Sequence, residues 1–379
     1  VDLLHSHCPV MSTILARSIR EVIDALLVFT YHTKFDVDVA KLIRGKLLQE
    51  SALYLLASNI SACDEVWVVS RGAGENLRSI GYHGDYHVME NGVDMPRGRV
   101  SEAEVIAATA DYDLPEGVPV FLFVGRMMWY KGLRIILDAL KLLQAGGQDF
   151  RMVFIGGGAD AAAVQEYARP LGGKCIFTGA ISQRETLRAW YCRADLFLFP
   201  SSYDTNGLVV REAAASDLAA VLIKGSCAAE GVVDGETGFL IEENAGAMAS
   251  KLQAICRTPE CMAEVGRQAD ERLYLSWADA VKRAEDRYGI VMENYRMGRY
   301  DEHHKPMDGF LNAQGTMMET LARLRNLGDG LAERSREGWE EHKEEYEERR
   351  EERREERRSF RSELKQKGEA LWQKLDRYL

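Results

Sequence analysis

Short apolar runs alternate along this chain with longer segments of helical spacing. Val1–Leu4 reads as the end of a buried strand, and the polar turn His5-Ser6-His7-Cys8-Pro9 follows it. Met11–Ile19 has helical spacing. Leu26–Tyr31 is a second apolar run rich in strand formers, Glu65–Ser70 a third strand and His87–Glu90 a short fourth. Between them, Lys41–Ile60 reads as one long amphipathic helix with Leu42, Leu47, Leu48, Leu53, Leu56 and Ile60 as its core face. Asn91-Gly92 is a turn signal. Strands separated by helices predict parallel pairing through right-handed crossovers.

A polar stretch with Pro96, Gly98, Pro115 and Gly117 follows, read as a linker from about Met95 to Val118 that contains one helix. A second α/β unit comes next. Its expected strands are Val118–Val124, Met152–Ile155, Cys175–Phe177, Leu196–Phe199 and Ala220–Ile223. Helices are expected near Gly132–Gln144, Ala161–Ala168, Arg184–Cys192 and Gly207–Ala215. This is a doubly wound pattern. Ser276-Trp277-Ala278 caps a further helix running to about Tyr295. The expected division is 1–95 and 96–275 for two Rossmann-like units, 276–305 for a helix returning to the first unit, and 306–379 for a charged helical tail. The chain opens on Val1 inside a strand pattern, so the sequence is expected to begin within a domain, with that first unit incomplete.

Composition narrows the class. With 379 residues, 46% hydrophobic and 28% charged, the chain can build real cores. A net charge of -11 argues against non-specific nucleic-acid binding. Seven cysteines without a C-x-x-C pair point away from a disulfide framework or zinc site and towards a reducing, cytoplasmic setting. No apolar run has membrane-span length, and the first residues lack a signal-peptide pattern. Glu340–Arg358 is nearly all charge. Trp339, Tyr346 and Phe360, and then Leu364, Leu371 and Tyr378, keep a heptad-related spacing that hints at a weak coiled coil and self-association. A solvated helix or disordered tail would read the same way.

Four features gather at expected strand ends, where open parallel sheets bind ligands. Val124-Gly125-Arg126 is followed by Lys131-Gly132. A guanidinium that forks onto two oxygens and an ammonium five positions later suit a diphosphate. Solvated loop charges are the plainer reading. Ile155-Gly156-Gly157-Gly158 lets backbone approach a ligand, although its spacing is not the dinucleotide fingerprint. The third feature is Pro200-Ser201-Ser202-Tyr203-Asp204-Thr205-Asn206-Gly207-Leu208-Val209-Val210-Arg211-Glu212. Here a strand end leads through a loop into a helix whose first N–H groups can meet an anion. Asp204 and Glu212 can accept from paired sugar and ribose hydroxyls; otherwise Asp204 caps the helix and Glu212 is solvated. The fourth is His5-Ser6-His7 after one strand with His32 after the next.

Taken together, the Arg126/Lys131 pair, the eight-residue step from Asp204 to Glu212 and the Asn91-Gly92-Val93-Asp94 hinge resemble the retaining GT-B glycosyltransferases of family 4. The resemblance covers about Val1 to Tyr295. It implies two Rossmann-like domains facing across a cleft, the second holding a nucleotide-diphosphate sugar, with UDP- or GDP-sugars such as UDP-glucose as donor. Arg126 and Lys131 would neutralise the diphosphate, with Gly125 and Gly157 lining it. Asn206, Gly207 and Leu208 would meet phosphates, Glu212 the ribose and Asp204 the sugar. The base would sit near Thr178–Ile181. His7 would lie beside the transferred sugar as a catalytic residue with Asp204, Arg126 and Lys131, and His32 would face the acceptor.

The resemblance implies no metal and no cofactor, because the two cations stand in for a metal. Asp36-Val37-Asp38 and Asp111-Tyr112-Asp113 are read as chance matches to a metal-binding D-x-D. Two departures stand out: Asp204 replaces the usual glutamate and Asn206 an aromatic. His7-Cys8-Pro9 and Thr30-Tyr31-His32-Thr33-Lys34 are similar to regions of enzymes that glycosylate lipids. That suggests a glycerolipid or glycan acceptor and peripheral contact with the inner membrane face. A non-catalytic nucleotide-sugar-binding or assembly protein is the alternative.

Overall fold

The structure is a computed structural model and describes residues 1–300. The charged tail and its heptad spacing lie outside these residues. The first unit runs β1 (Leu3–Ser6), α1 (Met11–Ile23), β2 (Leu26–Tyr31), α2 (Phe35–Leu42), α3 (Lys46–Ser61), β3 (Glu65–Val68), α4 (Arg71–Ser79) and β4 (His87–Val88). Its four strands pair in parallel in chain order. Every residue of β2 is buried, as a strand covered on both faces requires.

The helix expected over Lys41–Ile60 is two helices. α2 ends at Leu42, Ile43 is extended, and Gly45 takes φ +101° before α3 starts. A left-handed residue stops the helical ladder and resets its phase. Leu42, Leu47 and Leu48 are therefore 84%, 76% and 62% exposed, while Leu56 and Ile60 are buried and Leu53 packs on the core. Only the second half of the expected core face is a core face. β1 also starts later than expected, so His5 and Ser6 are strand residues and not part of the turn.

The second unit runs α5 (Glu102–Thr109), β5 (Val120–Val124), α6 (Leu133–Ala145), β6 (Arg151–Ile155), α7 (Ala161–Ala168), β7 (Cys175–Gly179), α8 (Arg184–Arg193), β8 (Leu196–Phe199), α9 (Leu208–Ala214), β9 (Ala220–Ile223), β10 (Phe239–Ile241), α10 (Ala245–Cys256), α11 (Glu260–Leu273) and α12 (Trp277–Arg296). Six parallel strands lie in the order β10-β9-β8-β5-β6-β7. From β5 the chain moves outward to β7, then returns to lay β8 on the other side of β5. That reversal opens a crevice beyond the carboxyl ends of β5 and β8. Phe123 stacks on Phe199 and packs at a tilt against Phe154, which stiffens the strands that end there.

Two chain crossings join the units side by side. The Val93 N–H donates to the Leu275 carbonyl at 2.8 Å, and the Trp277 N–H donates to the Val93 carbonyl at 3.2 Å. A side chain at Gly92 would strike the Ser276 carbonyl, so glycine permits this close approach. The Ser276 hydroxyl then caps α12 by accepting from the Asp279 N–H. α12 runs back onto the first sheet. Val291 is buried with Leu26, Val28 and Trp67, and Arg287 forks onto Glu65 at 2.7 and 2.8 Å. Among the described residues no helix is long and apolar enough to cross a membrane.

Candidate functional site

The crevice is built from two loops pressed together. β5 ends at Val124, and Gly125 turns the chain at φ +153°. The Gly125 N–H still donates to the Ile155 carbonyl, and the Met127 N–H donates to the Gly157 carbonyl at 2.9 Å. Side chains at Gly156 and Gly158 would collide with Gly125 and Met127 backbone, whereas Gly157 faces open space. Two of the three glycines therefore serve loop-on-loop packing. Gly157 is the one free to approach a ligand.

Arg126 is exposed and forms no ion pair within the described residues. Lys131 closes a short 3-10 turn and is mostly buried. Its Nζ sits 2.6 Å from Asp204 Oδ2. Gly132 follows at φ +79°, and a side chain there would fall on the Pro200 carbonyl. This contact holds the β5 loop against the β8 loop.

Asp204 organises the second loop. Its Oδ1 accepts from the N–H groups of Thr205, Asn206 and Gly207 at 2.9, 3.3 and 2.9 Å. Burial alone would push this carboxyl up. The Lys131 ammonium and the loop N–H groups outweigh it and hold Asp204 below its ordinary value. The aspartate is thus both a capping group and the partner of Lys131. Gly207 adopts φ +62° and starts α9, leaving Leu208 partly exposed at the helix's first position. Further along α9, Glu212 is mostly buried and accepts from the Tyr191 hydroxyl at 2.9 Å. Burial raises its carboxyl above the ordinary value.

The first unit supplies the facing wall. His7 Nδ1 lies 2.9 Å from His32 Nε2. His5 stacks on His7 with ring centroids 4.3 Å apart and bonds to Thr30 Oγ1 at 2.7 Å and to Tyr288 of α12. Burial, with His7 and His32 nearby, drives His5 down to about 3. Burial also lowers His7 and His32, so neutral imidazoles are favoured here. Two residues past His32, Lys34 reaches the Ser202 carbonyl at 3.4 Å and lies over the Tyr203 ring. The Tyr203 hydroxyl donates to the Lys34 carbonyl. The His7–His32 pair and the Asp204 loop are therefore linked through one short chain of contacts.

Further contacts cross between the units. The Asn206 amide donates to the Val69 carbonyl at 2.6 Å, while its Oδ1 is buried without a partner. Glu230 accepts from the Arg71 and Gly72 N–H groups at 2.8 and 2.6 Å, capping α4 from the opposite unit. Arg211 pairs with Glu90. Lys34, Tyr191, Arg211 and Glu230 were not singled out from the sequence. Each looks ordinary there, because its partner is 21 to 169 positions away.

Two parallel-sheet units face each other, and Lys131 and Asp204 meet where the strand order reverses. That arrangement defines the GT-B class. The chain belongs to the family-4 glycosyltransferases of this class. Residues 1–97 match the family profile described as Glycosyltransferase Family 4, and residues 107–272 match Glycosyl transferases group 1. It is 28% identical over 294 residues to the D-inositol 3-phosphate glycosyltransferase of Streptomyces avermitilis, covering 73% of this chain and 63% of that one. It is 27% identical to the sulfoquinovosyl transferase SQD2 of Arabidopsis thaliana, over 71% of this chain and 52% of the relative. The chain thus spans about half to two thirds of the length of these two relatives. Sucrose-phosphate synthase from Thermosynechococcus elongatus shares the fold with a TM-score of 0.62 at 24% identity, over 76% of this chain and 73% of that one. HepE from Anabaena, solved in complex with UDP-glucose, shares it with a TM-score of 0.64 at 16% identity, over 76% and 78%.

Proposed function

We propose that this chain binds a nucleotide-diphosphate sugar between its two units and transfers the sugar, a hexose, to an acceptor hydroxyl with retention at the anomeric carbon. The observation that carries this reading is the site beyond β5 and β8. There Arg126, exposed and without an ion pair among the described residues, lies on the same loop as Lys131, which is already oriented by Asp204. A diphosphate placed there meets a fork and a point charge. Negative charge grows on the leaving diphosphate as the bond to the anomeric carbon breaks. Fixed cations stabilise that charge without reorganising. They supply what a metal would otherwise supply, so the reaction in this reading needs neither metal nor cofactor.

The remaining roles follow from position. Gly125 and Gly157 flank the diphosphate; of the Asn206, Gly207 and Leu208 N–H groups, the first two donate to Asp204 Oδ1, which leaves that of Leu208 for its oxygens. Glu212 accepts from the ribose hydroxyls and Asp204 from the sugar. His7, neutral and bonded to His32, stands on the facing wall to hold the transferred sugar, with His32 towards the acceptor. Anabaena HepE, of the same fold, binds UDP and glucose, which supports a UDP-sugar donor. The name of one relative, the alpha-monoglucosyldiacylglycerol synthase of Streptococcus pneumoniae, supports a glycerolipid acceptor, and such an acceptor would bring the chain to the inner membrane face. A glycan acceptor uses the same chemistry. The charged tail, residues 306–379, is a candidate for self-association.

Incubation with UDP- and GDP-sugars labelled in the hexose, together with lipid and glycan acceptors, tests the reading. Free nucleoside diphosphate plus a new glycoside of unchanged anomeric configuration is expected. An inverted product, or label returned only as an epimerised nucleotide sugar, contradicts it.

A further inference from the structure

Glu212 has a buried partner that donor binding does not itself require. Tyr191 on α8 is completely buried, and its ring packs 5.8 Å from that of Phe197. Its hydroxyl donates to Glu212 Oε2 at 2.9 Å. A buried phenol needs an acceptor for its O–H, and Glu212 is that acceptor. Arg184, at the start of α8, is the other charged group facing Glu212, and it is itself paired with Asp94 at 2.7 Å. The neighbouring Arg211 is turned away, to Glu90 and the Leu273 carbonyl. Oε2 is thus held by Tyr191, and Oε1 makes no hydrogen bond among the described residues.

We propose that Tyr191 is a positioning residue for the donor: its hydroxyl fixes the Glu212 carboxylate in the plane that accepts the vicinal hydroxyls of a ribose. The inference rests on the reading of Glu212 as the ribose contact and deepens it. A glutamate has three side-chain torsions to restrict, and one strong donor at Oε2 removes most of that freedom before the ligand arrives. The same bond has a second consequence. Burial pushes the Glu212 carboxyl up, and the Tyr191 hydroxyl and Arg184 charge oppose that push. Without the hydroxyl the carboxyl rises further, and ribose recognition fails at a higher pH.

The test is calorimetric titration of UDP, GDP and ADP, each beside its 2′,3′-dideoxy counterpart, between pH 5.5 and 8. Wild-type chain is expected to prefer the ribose form about tenfold, the scale of one charge-assisted hydrogen bond. Tyr191→Phe is expected to lose roughly three- to tenfold in affinity for the ribose form, leave the dideoxy form unchanged and move the acid limb of binding upward. Replacing Tyr191 by 3-fluorotyrosine keeps shape and hydroxyl while strengthening the donor. It should move that limb downward, a readout that stands even if Tyr191→Phe folds poorly. Equal weakening of both forms by Tyr191→Phe, or an unchanged preference and limb in both variants, overturns the inference alone. A wild-type chain that ignores the ribose hydroxyls, or binds none of the three diphosphates, overturns the donor reading and this inference with it.

Discussion

Lys131 Nζ and Asp204 Oδ2 lie 2.6 Å apart and join the loop after β5 to the loop after β8. The other oxygen of Asp204 gathers three consecutive N–H groups of its own loop. The crevice is therefore built before any ligand enters, and its ammonium is oriented at the cost of being shared. Lys131→Met would leave the carboxylate mostly buried without its cation. A loss of about 3 kcal/mol in urea unfolding at neutral pH is expected, with at least tenfold weaker diphosphate binding. The pH sign follows from the depressed carboxyl. Its stabilisation is present above the unfolded value and is lost as pH falls through the folded one. The variant should lose less stability than wild type over that acid range.

Arg126 is the contrasting case. Its side chain is exposed and makes no hydrogen bond or ion pair among the described residues, so Arg126→Ala should change stability by less than about 0.5 kcal/mol. Diphosphate affinity should nevertheless fall tenfold or more. Equal binding by variant and wild type would remove Arg126 from the site.

Much of this was legible in the sequence because short-range patterns carry it. Buried runs such as Leu26–Tyr31 and Leu196–Phe199 are unbroken strand formers, and the strands lie where those runs do. The cations and carboxylates sit on segments whose glycines announce tight turns. Gly45 was passed over, although it breaks the expected long helix and turns Leu47 and Leu48 to solvent. β10, α10 and α11 were missed as well. β10 has only three residues, and the buried face of α11 is mostly small, with Gly266 and Ala269 beside Met262 and Val265. Long-range partners left no local trace. Nothing near Tyr191 points to Glu212, and nothing near Glu230 points to the start of α4.

His5 gives a pH prediction. Burial, then the neighbouring His7 and His32, hold its pKa near 3, against 6.5 for a free histidine. The folded form favours the neutral ring, so this group's stabilisation is complete above the unfolded value and is lost as pH falls towards about 3. Wild-type urea midpoints should therefore drop between pH 6.5 and 4. His5→Gln should be less stable at pH 7, where it loses packing against Trp67 and Tyr288, yet show a flatter profile below 6.5. An unchanged slope would place the acid sensitivity elsewhere.

Glu230 tests the seam between the units. Glu230→Ala leaves the Arg71 and Gly72 N–H groups without their acceptor, and a lost helix cap costs about 1 kcal/mol. Hydrogen exchange should accelerate at the first turn of α4 and leave β5 and β8 protected. Faster exchange across the second sheet would mean that Glu230 supports the fold and not the seam.

The central claim is that the crevice beyond β5 and β8 holds a nucleoside diphosphate through Arg126, Lys131 and Glu212. Calorimetric titration of UDP and GDP into the chain, beside Arg126→Ala and Glu212→Ala, tests it most directly. Saturable one-to-one binding by wild type, weakened at least tenfold in both variants, with the melting temperature retained in Arg126→Ala and lowered in Glu212→Ala by the unpaired Tyr191 hydroxyl, is the predicted result. Binding that is absent in wild type, or equal in all three proteins, would contradict it.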